Sequence, residues 1–113
     1  MASARTRLVI RAAAQADVEA AVDWYVDEGG SALGLRFLAA LDAAYQRIAR
    51  QPGIGSPRWG EALGLPDLRV WPLARFPYQV FYLQRAQDVE IWRVLHGARD
   101  VSGTLAVPKG RER

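Results

Sequence analysis

Residues 68–96 read LRVWPLARFPYQVFYLQRAQDVEIWRVLH, and this stretch decides the fold. It is rich in valine, isoleucine and aromatic residues, which are the side chains that β-strands favour. Prolines and a polar turn divide it into three runs, which predict strands over residues 68–73, 78–84 and 89–95. Residues 78–83 are apolar or aromatic on both faces, so we expect this strand to lie in the centre of a sheet.

Upstream of this stretch, the apolar residues recur at the spacing of helices. Residues 13–28 and 32–50 each carry one apolar stripe and predict two helices joined at residues 29–31. A join this short requires the helices to be antiparallel, as a helical hairpin. A short strand is predicted over residues 7–12, and Asp17 is expected in the first helical turn, where the helix dipole favours acids.

Proline and glycine are concentrated in residues 51–67, which predicts a loop, and Trp59 is expected to anchor it to the body of the protein. The order is therefore β-α-α-β-β-β. This order predicts a two-layer α+β fold in which the helical hairpin packs on a mainly antiparallel four-stranded sheet. We expect a single domain over residues 1–113, with a frayed tail from about residue 107.

The composition excludes several classes of site. The chain has no cysteine, which argues against disulfides, zinc fingers of cysteine type and thiol nucleophiles. It has only one histidine, His96, which argues against clustered-histidine metal sites. We therefore expect no metal or cofactor. No apolar run approaches the ~20 residues of a membrane helix, and no signal peptide is evident, so a cytoplasmic protein is expected.

Positive charge is concentrated in the second half of the chain. Up to Arg50 six arginines balance six acids, whereas beyond it eight arginines and Lys109 face six acids. This excess suits an acidic partner or a nucleic acid, although an ordinary solvated surface explains it equally well.

Motifs along most of the chain resemble the RelE/ParE superfamily of toxins. Residues 75–82 read RFPYQVFY and are similar to its R-F-P-Y-x-[VI]-x-Y pattern. Residues 94–100 read VLHGARD and are similar to its [VI]-x-H-x-x-R-[DN] ending. The spacing of Ala14 and Asp17, and that of Gly34 and Phe37, also resemble the family, and the ParE-like branch fits best.

The resemblance implies the toxin of a bacterial type II toxin–antitoxin system, a class associated with plasmid stabilisation. A ParE-like toxin implies inhibition of DNA gyrase through a binding surface and neutralisation by a ParD-like antitoxin. A RelE-like toxin would instead cleave messenger RNA on the ribosome, and a degenerate member would do neither. The single lysine, Lys109, argues against the dense basic set of the ribonuclease branch.

The candidate target-binding residues are polar side chains on or beside the C-terminal strands, namely Arg69, Arg75, His96, Arg99 and Asp100. In a ribonuclease, His96 would transfer protons, and Arg75 and Arg99 would hold phosphate. Three local roles remain open: a hydrogen bond from His96, an ion pair between Arg99 and Asp100, and an ion pair from Arg75 to an acid of the hairpin.

The resemblance also implies that a C-terminal antitoxin segment wraps the toxin. Two short helices beside a sheet leave a seam for a helix, and free strand edges accept an added strand. The helices carry more aromatic and apolar surface than they can turn inward. The predicted antitoxin-binding residues are Trp24, Phe37, Leu38 and Tyr45.

Overall fold

The three strands of residues 68–96 form a sheet that is completed by a strand from the N-terminus. The structure is a computed structural model that describes residues 6–97, apart from the side chains of residues 61–63. Each strand boundary lies within two residues of its predicted position. The strands are β1 (Arg7–Ile10), β2 (Leu68–Pro72), β3 (Tyr78–Gln84) and β4 (Asp88–His96).

The strand order within the described residues is β1-β4-β3-β2. β3 is antiparallel to both of its neighbours, whereas β1 pairs with β4 in the parallel direction. Val80, Phe81 and Tyr82 of β3 are fully buried. The predicted central strand and the mainly antiparallel sheet are both confirmed.

The helical hairpin is also confirmed. One helical element, α1 (Ala12–Arg50), is interrupted at Gly30, whose φ of 84° and ψ of 177° are not helical. The rings of Tyr25 and Phe37 stack with centroids 5.3 Å apart, whereas twelve residues of continuous helix would separate them by ~18 Å. The chain therefore reverses at Gly30, between an N-terminal arm (residues 12–29) and a C-terminal arm (residues 31–50).

Both faces of the sheet are covered by other parts of the chain. Alternate side chains of a strand point to opposite faces, so neighbouring residues of β3 belong to different clusters. Val80 and Tyr82 belong to the cluster beneath the hairpin, and Phe81 and Leu83 belong to a second cluster. Trp59 packs against that second cluster, so its predicted anchoring role is confirmed.

The segment over residues 51–67 is more regular than the predicted loop. It contains a 3-10 turn at Pro52–Ile54 and a short helix, α2 (Arg58–Leu63). Gly64, with a φ of 71°, ends α2, and the Leu65 N–H donates to the Gly60 carbonyl over 2.8 Å. This is a glycine-terminated helix end. Of the residues that predicted a loop, Pro57 and Gly64 flank α2, which is too short for a periodic signal.

Candidate functional site

Arg75 and His96 lie at the same end of the sheet. The Gly97 N–H donates to the Pro77 carbonyl over 2.7 Å, which joins the end of β4 to the residue before β3. The His96 ring meets the Tyr78 ring edge to face, with centroids 5.4 Å apart. This contact favours a local role for His96, while Arg75 is exposed.

Arg69 lies at the other end of the sheet. It pairs in register with Tyr82, four residues along β3 from Tyr78, which corresponds to ~13 Å. Its Nη1 donates to the Gly53 carbonyl over 3.2 Å and to the Gly55 carbonyl over 2.7 Å. Arg69 thus holds the segment after α1 and does not join Arg75 and His96.

Tyr82 fixes the same segment from inside the core. Its Oη donates to the Pro52 carbonyl over 2.6 Å and accepts from the Gly55 N–H over 2.9 Å. Burial raises the pKa of Tyr82, and the hydrogen bond from Gly55 and the charge of Arg69 partly offset this effect. The hydroxyl therefore acts as a neutral structural group.

Two of the predicted residues lie outside the described range. The positions of Arg99 and Asp100, and of the tail that follows them, stay predictions. Of the two roles left open for Arg75, the ion pair with an acid of the hairpin is not found within residues 6–97. The ion pairs of that range are Arg7–Asp88, Arg85–Glu90 and Arg93–Asp17.

The Asp17–Arg93 pair is a constellation that sequence reasoning missed. Arg93 Nε donates to Asp17 Oδ2 over 2.7 Å, and Nη2 donates to Oδ1 over 2.8 Å. The Val94 N–H also donates to Asp17 Oδ2, over 2.9 Å. Because β1 ends at Ile10, the edge of β4 beyond it is open, and the Asp17 carboxylate covers it.

The expected place of Asp17 in the first helical turn is wrong. The helix begins at Ala12, so Asp17 lies in the second turn, beyond the unpaired N–H groups that favour acids. The only sequence signal for its role was the spacing of Ala14 and Asp17, which carried no information about β4.

The antitoxin-binding candidates divide by exposure. Trp24 and Leu38 are 49% and 38% exposed, and Leu35, which the prediction omitted, is 65% exposed. Phe37 is fully buried, which corrects its assignment as a surface anchor. It packs against the Tyr25 and Phe76 rings, because its helical face points to the sheet.

Tyr45 is half-buried, and its hydroxyl is sequestered. The Tyr45 Oη is buried and has no hydrogen-bond partner among the described residues. Burial, and secondarily the charge of Asp17, raises the pKa of Tyr45 to about 12. The phenol therefore remains neutral, and only part of its ring faces solvent.

Phe76 positions the turn that carries Arg75. Its ring meets Tyr25 and Phe37 edge to face, at centroid distances of 5.0 and 5.4 Å. These contacts fasten the β2–β3 connection to the hairpin. Arg75 has a φ of 72°, a left-handed conformation that costs roughly 1–2 kcal/mol for a residue with a side chain.

Neither a metal site nor a membrane span is evident in residues 6–97. No group of three histidine, aspartate or glutamate side chains there is arranged to hold a metal ion. The helices in this range are also too short or too polar to cross a membrane.

Comparison with known proteins identifies the family. A family described as the ParE toxin of the type II toxin–antitoxin system parDE matches residues 8–101. No curated protein sequence matches significantly. A solved structure from P. aeruginosa, described as a chromosomal ParDE TA system, shares the fold with a TM-score of 0.69 at 22% identity. That similarity covers 83% of this chain and 98% of the other. The family match spans most of the sequence, and the chain belongs to the ParE toxin family of type II toxin–antitoxin systems.

Proposed function

We propose that the protein inhibits DNA gyrase through a binding surface and that a ParD-like antitoxin neutralises it. The family supplies the context of a toxin–antitoxin pair. The gyrase target rests on the resemblance to ParE-like toxins. The proposed target surface is the end of the sheet with Arg75 and His96, to which the following Arg99 and Asp100 would add.

The observation that carries this proposal is that two of the candidate polar residues, Arg69 and His96, make local contacts within residues 6–97. A ribonuclease needs a base, an acid and phosphate-binding cations within reach of one phosphate. Arg69 is ~13 Å along the sheet from His96 and is bonded to the carbonyls of Gly53 and Gly55. His96 packs against Tyr78. This arrangement suits a contact surface better than a catalytic centre.

Exposed apolar side chains on the hairpin support an antitoxin partner. Trp24, Leu35 and Leu38 are large apolar residues with more than a third of their surface in solvent. Buried aromatic and aliphatic anchors supply much of the binding energy of an interface. We assign Trp24 and Leu38 to the antitoxin surface, together with the exposed part of Tyr45.

The deciding experiment measures supercoiling and DNA cleavage by purified gyrase in the presence of the purified protein. We expect inhibition that is weakened by Arg75→Ala and by His96→Ala. Arg85→Ala serves as the control, because Arg85 is an exposed arginine at the other end of β4. A protein that leaves gyrase unaffected would contradict the proposal.

Expression in cells that lack the antitoxin distinguishes a gyrase inhibitor from the two alternative functions. Growth arrest with a DNA-damage response and intact messages supports the gyrase target. Cleaved messages would support a RelE-like ribonuclease, with His96, Arg75 and Arg99 as the residues to replace. Soluble protein without growth arrest would indicate a degenerate member that retains only antitoxin binding.

A further inference from the structure

Four aromatic rings pack together where the hairpin meets the connection from β2 to β3. Tyr25 of the N-terminal arm stacks on Phe37 of the C-terminal arm, with ring centroids 5.3 Å apart. Phe76 meets both of these rings edge to face, at centroid distances of 5.0 and 5.4 Å. Tyr78, the first residue of β3, also contacts both, at 6.1 and 5.3 Å. We call the stacked rings of Tyr25 and Phe37 the ring pair.

The ring pair supports both described residues of the proposed target surface. Arg75 directly precedes Phe76 in the chain. The His96 ring packs edge to face on the Tyr78 ring, with centroids 5.4 Å apart. Arg75 and His96 are therefore each separated from the ring pair by a single aromatic residue, and a shift of the ring pair acts on both of them.

The ring pair also reaches the outer surface of the hairpin. The Trp24 ring meets the Tyr25 ring edge to face, with centroids 5.0 Å apart. Trp24 is 49% exposed, whereas Tyr25 and Phe37 are buried. A continuous series of ring contacts therefore connects a surface that a partner can cover with the interior beneath Arg75 and His96.

The turn that carries Arg75 has the properties of a two-state element. The φ of 72° at Arg75 is a left-handed conformation, which persists in a residue with a side chain only where the surroundings fix it. The packing of Phe76 on the ring pair fixes it here. The cost of one left-handed residue and the stabilisation from one or two aromatic contacts are of similar size. The loss of one contact should therefore raise the population of the undocked turn several-fold.

Two backbone hydrogen bonds report whether the turn is docked. The Leu73 N–H donates to the Tyr78 carbonyl over 3.0 Å, and the Gly97 N–H donates to the Pro77 carbonyl over 2.7 Å. An opening of residues 74–77 exposes both amides to exchange with solvent. The Val70 N–H is a suitable reference in the same sheet, because its acceptor lies in a different segment of the chain.

We propose that the ring pair couples the hairpin surface at Trp24 to the target surface at Arg75 and His96, so that displacement of the Trp24 ring by a partner weakens target binding. The partner and the target rest on the proposed function, in which the antitoxin covers Trp24 and gyrase binds Arg75 and His96. The undocked turn does not present the target surface, so the apparent affinity falls with the docked fraction. The two residues of the ring pair are then positioning residues, which act on the target through the rings beside them.

The test compares four variants of the full chain by native-state hydrogen exchange and by inhibition of purified gyrase. Trp24→Ala removes the outer ring contact. Its control is Leu35→Ala, because Leu35 is an exposed apolar residue of the hairpin outside the aromatic cluster. Phe37→Leu breaks the ring pair. Its control is Phe81→Leu, because Phe81 is an equally buried phenylalanine that belongs to the second cluster, on the opposite face of the sheet.

In Trp24→Ala, we expect exchange of the Leu73 and Gly97 amides to quicken by roughly three- to tenfold relative to the Val70 amide, which is the effect of one aromatic contact. Gyrase inhibition should weaken by a similar factor. Phe37→Leu should change both quantities at least as much. The two control variants should leave this exchange ratio and the inhibition within about twofold of wild type.

An exchange ratio that is unchanged in Trp24→Ala, or that changes equally in Leu35→Ala, would overturn the coupling whether or not Phe37→Leu folds. Weaker inhibition with a constant exchange ratio would mean that Trp24 contacts the target directly, and it would overturn the coupling as well. A changed ratio with unchanged inhibition would overturn the regulation of target binding. If the wild type does not inhibit gyrase, the proposed target fails, and the exchange ratio still decides whether the ring pair couples Trp24 to the turn.

Discussion

Replacement of Asp17 by alanine should destabilise the protein more than any other single loss of a polar side chain from residues 6–97. The carboxylate accepts two hydrogen bonds from Arg93 and one from the Val94 N–H. The side chains of Asp17 and Arg93 are only 14% and 29% exposed. The substitution therefore removes the carboxylate that binds a largely desolvated guanidinium and an edge amide.

The magnitude follows from this geometry. Breaking a fully buried ion pair costs roughly 3–5 kcal/mol, and the residual exposure of Arg93 places the expected loss near the lower end, at about 3 kcal/mol. A loss of this size lowers the melting temperature of a domain of this length by about 12–24 °C. Asp17→Asn retains one acceptor for the Val94 N–H and should lose about half as much free energy.

The assay is urea unfolding followed by tryptophan fluorescence, at neutral pH. A double-mutant cycle with Arg93→Met separates the coupling of the pair from the loss of the Val94 hydrogen bond. We expect a coupling energy of about 1–3 kcal/mol between positions 17 and 93. A stability of Asp17→Ala within about 0.5 kcal/mol of wild type, or a coupling near zero, would refute the reasoning.

Further predictions concern the hinge, a buried hydroxyl and the hairpin surface. Gly30→Ala should cost about 1–3 kcal/mol in chemical denaturation because of its φ of 84°, whereas Gly53→Ala, also in open space and without positive φ, should cost little. Tyr45→Phe should raise stability by about 1 kcal/mol at neutral pH, since the buried hydroxyl has no partner. The free energy of unfolding of the wild type should fall as pH rises from the ordinary tyrosine pKa of about 10 to the raised pKa of Tyr45, about 12. The reason is that Tyr45 ionises at a lower pH in the unfolded chain than in the folded one. In a pH titration of unfolding, Tyr45→Phe should therefore lose less stability over this range. In calorimetry, Trp24→Ala should weaken antitoxin binding with little change in stability, whereas Phe37→Ala should cost about 3–5 kcal/mol of folding free energy; the opposite pattern would restore Phe37 as a surface anchor.

The sequence predicts the strands and the hairpin well because their signals are local. The run of apolar residues on both faces of β3 is compatible with few structures other than a central strand. The paired glycines 29–30 between two apolar stripes require a turn. The fold therefore follows from periodicity and turn chemistry, both of which act over a few residues.

The parts of the site that sequence reasoning missed depend on contacts between distant residues. Asp17 and Arg93 are 76 residues apart in the chain, and nothing beside Asp17 indicates that β4 would need an acceptor there. Arg69 was a candidate for target binding because arginine suits phosphate, yet its partners are the carbonyls of Gly53 and Gly55. Phe37 was misassigned because both arms carry apolar residues on several faces, and only the packed sheet shows which face is covered.

The parallel pairing of β1 with β4 has a consequence for biosynthesis. The strand that is made first, at Arg7–Ile10, has its partners at residues 88–91, near the end of the described chain. Contacts of such long sequence separation form late, because the intervening chain must be ordered before they close. In a nascent chain that stops before residue 88, β1 has no partner strand. Asp17 also has neither Arg93 nor the Val94 N–H to bind. The complete sheet, and with it the end that carries Arg75 and His96, arises only after residue 96 has been synthesised.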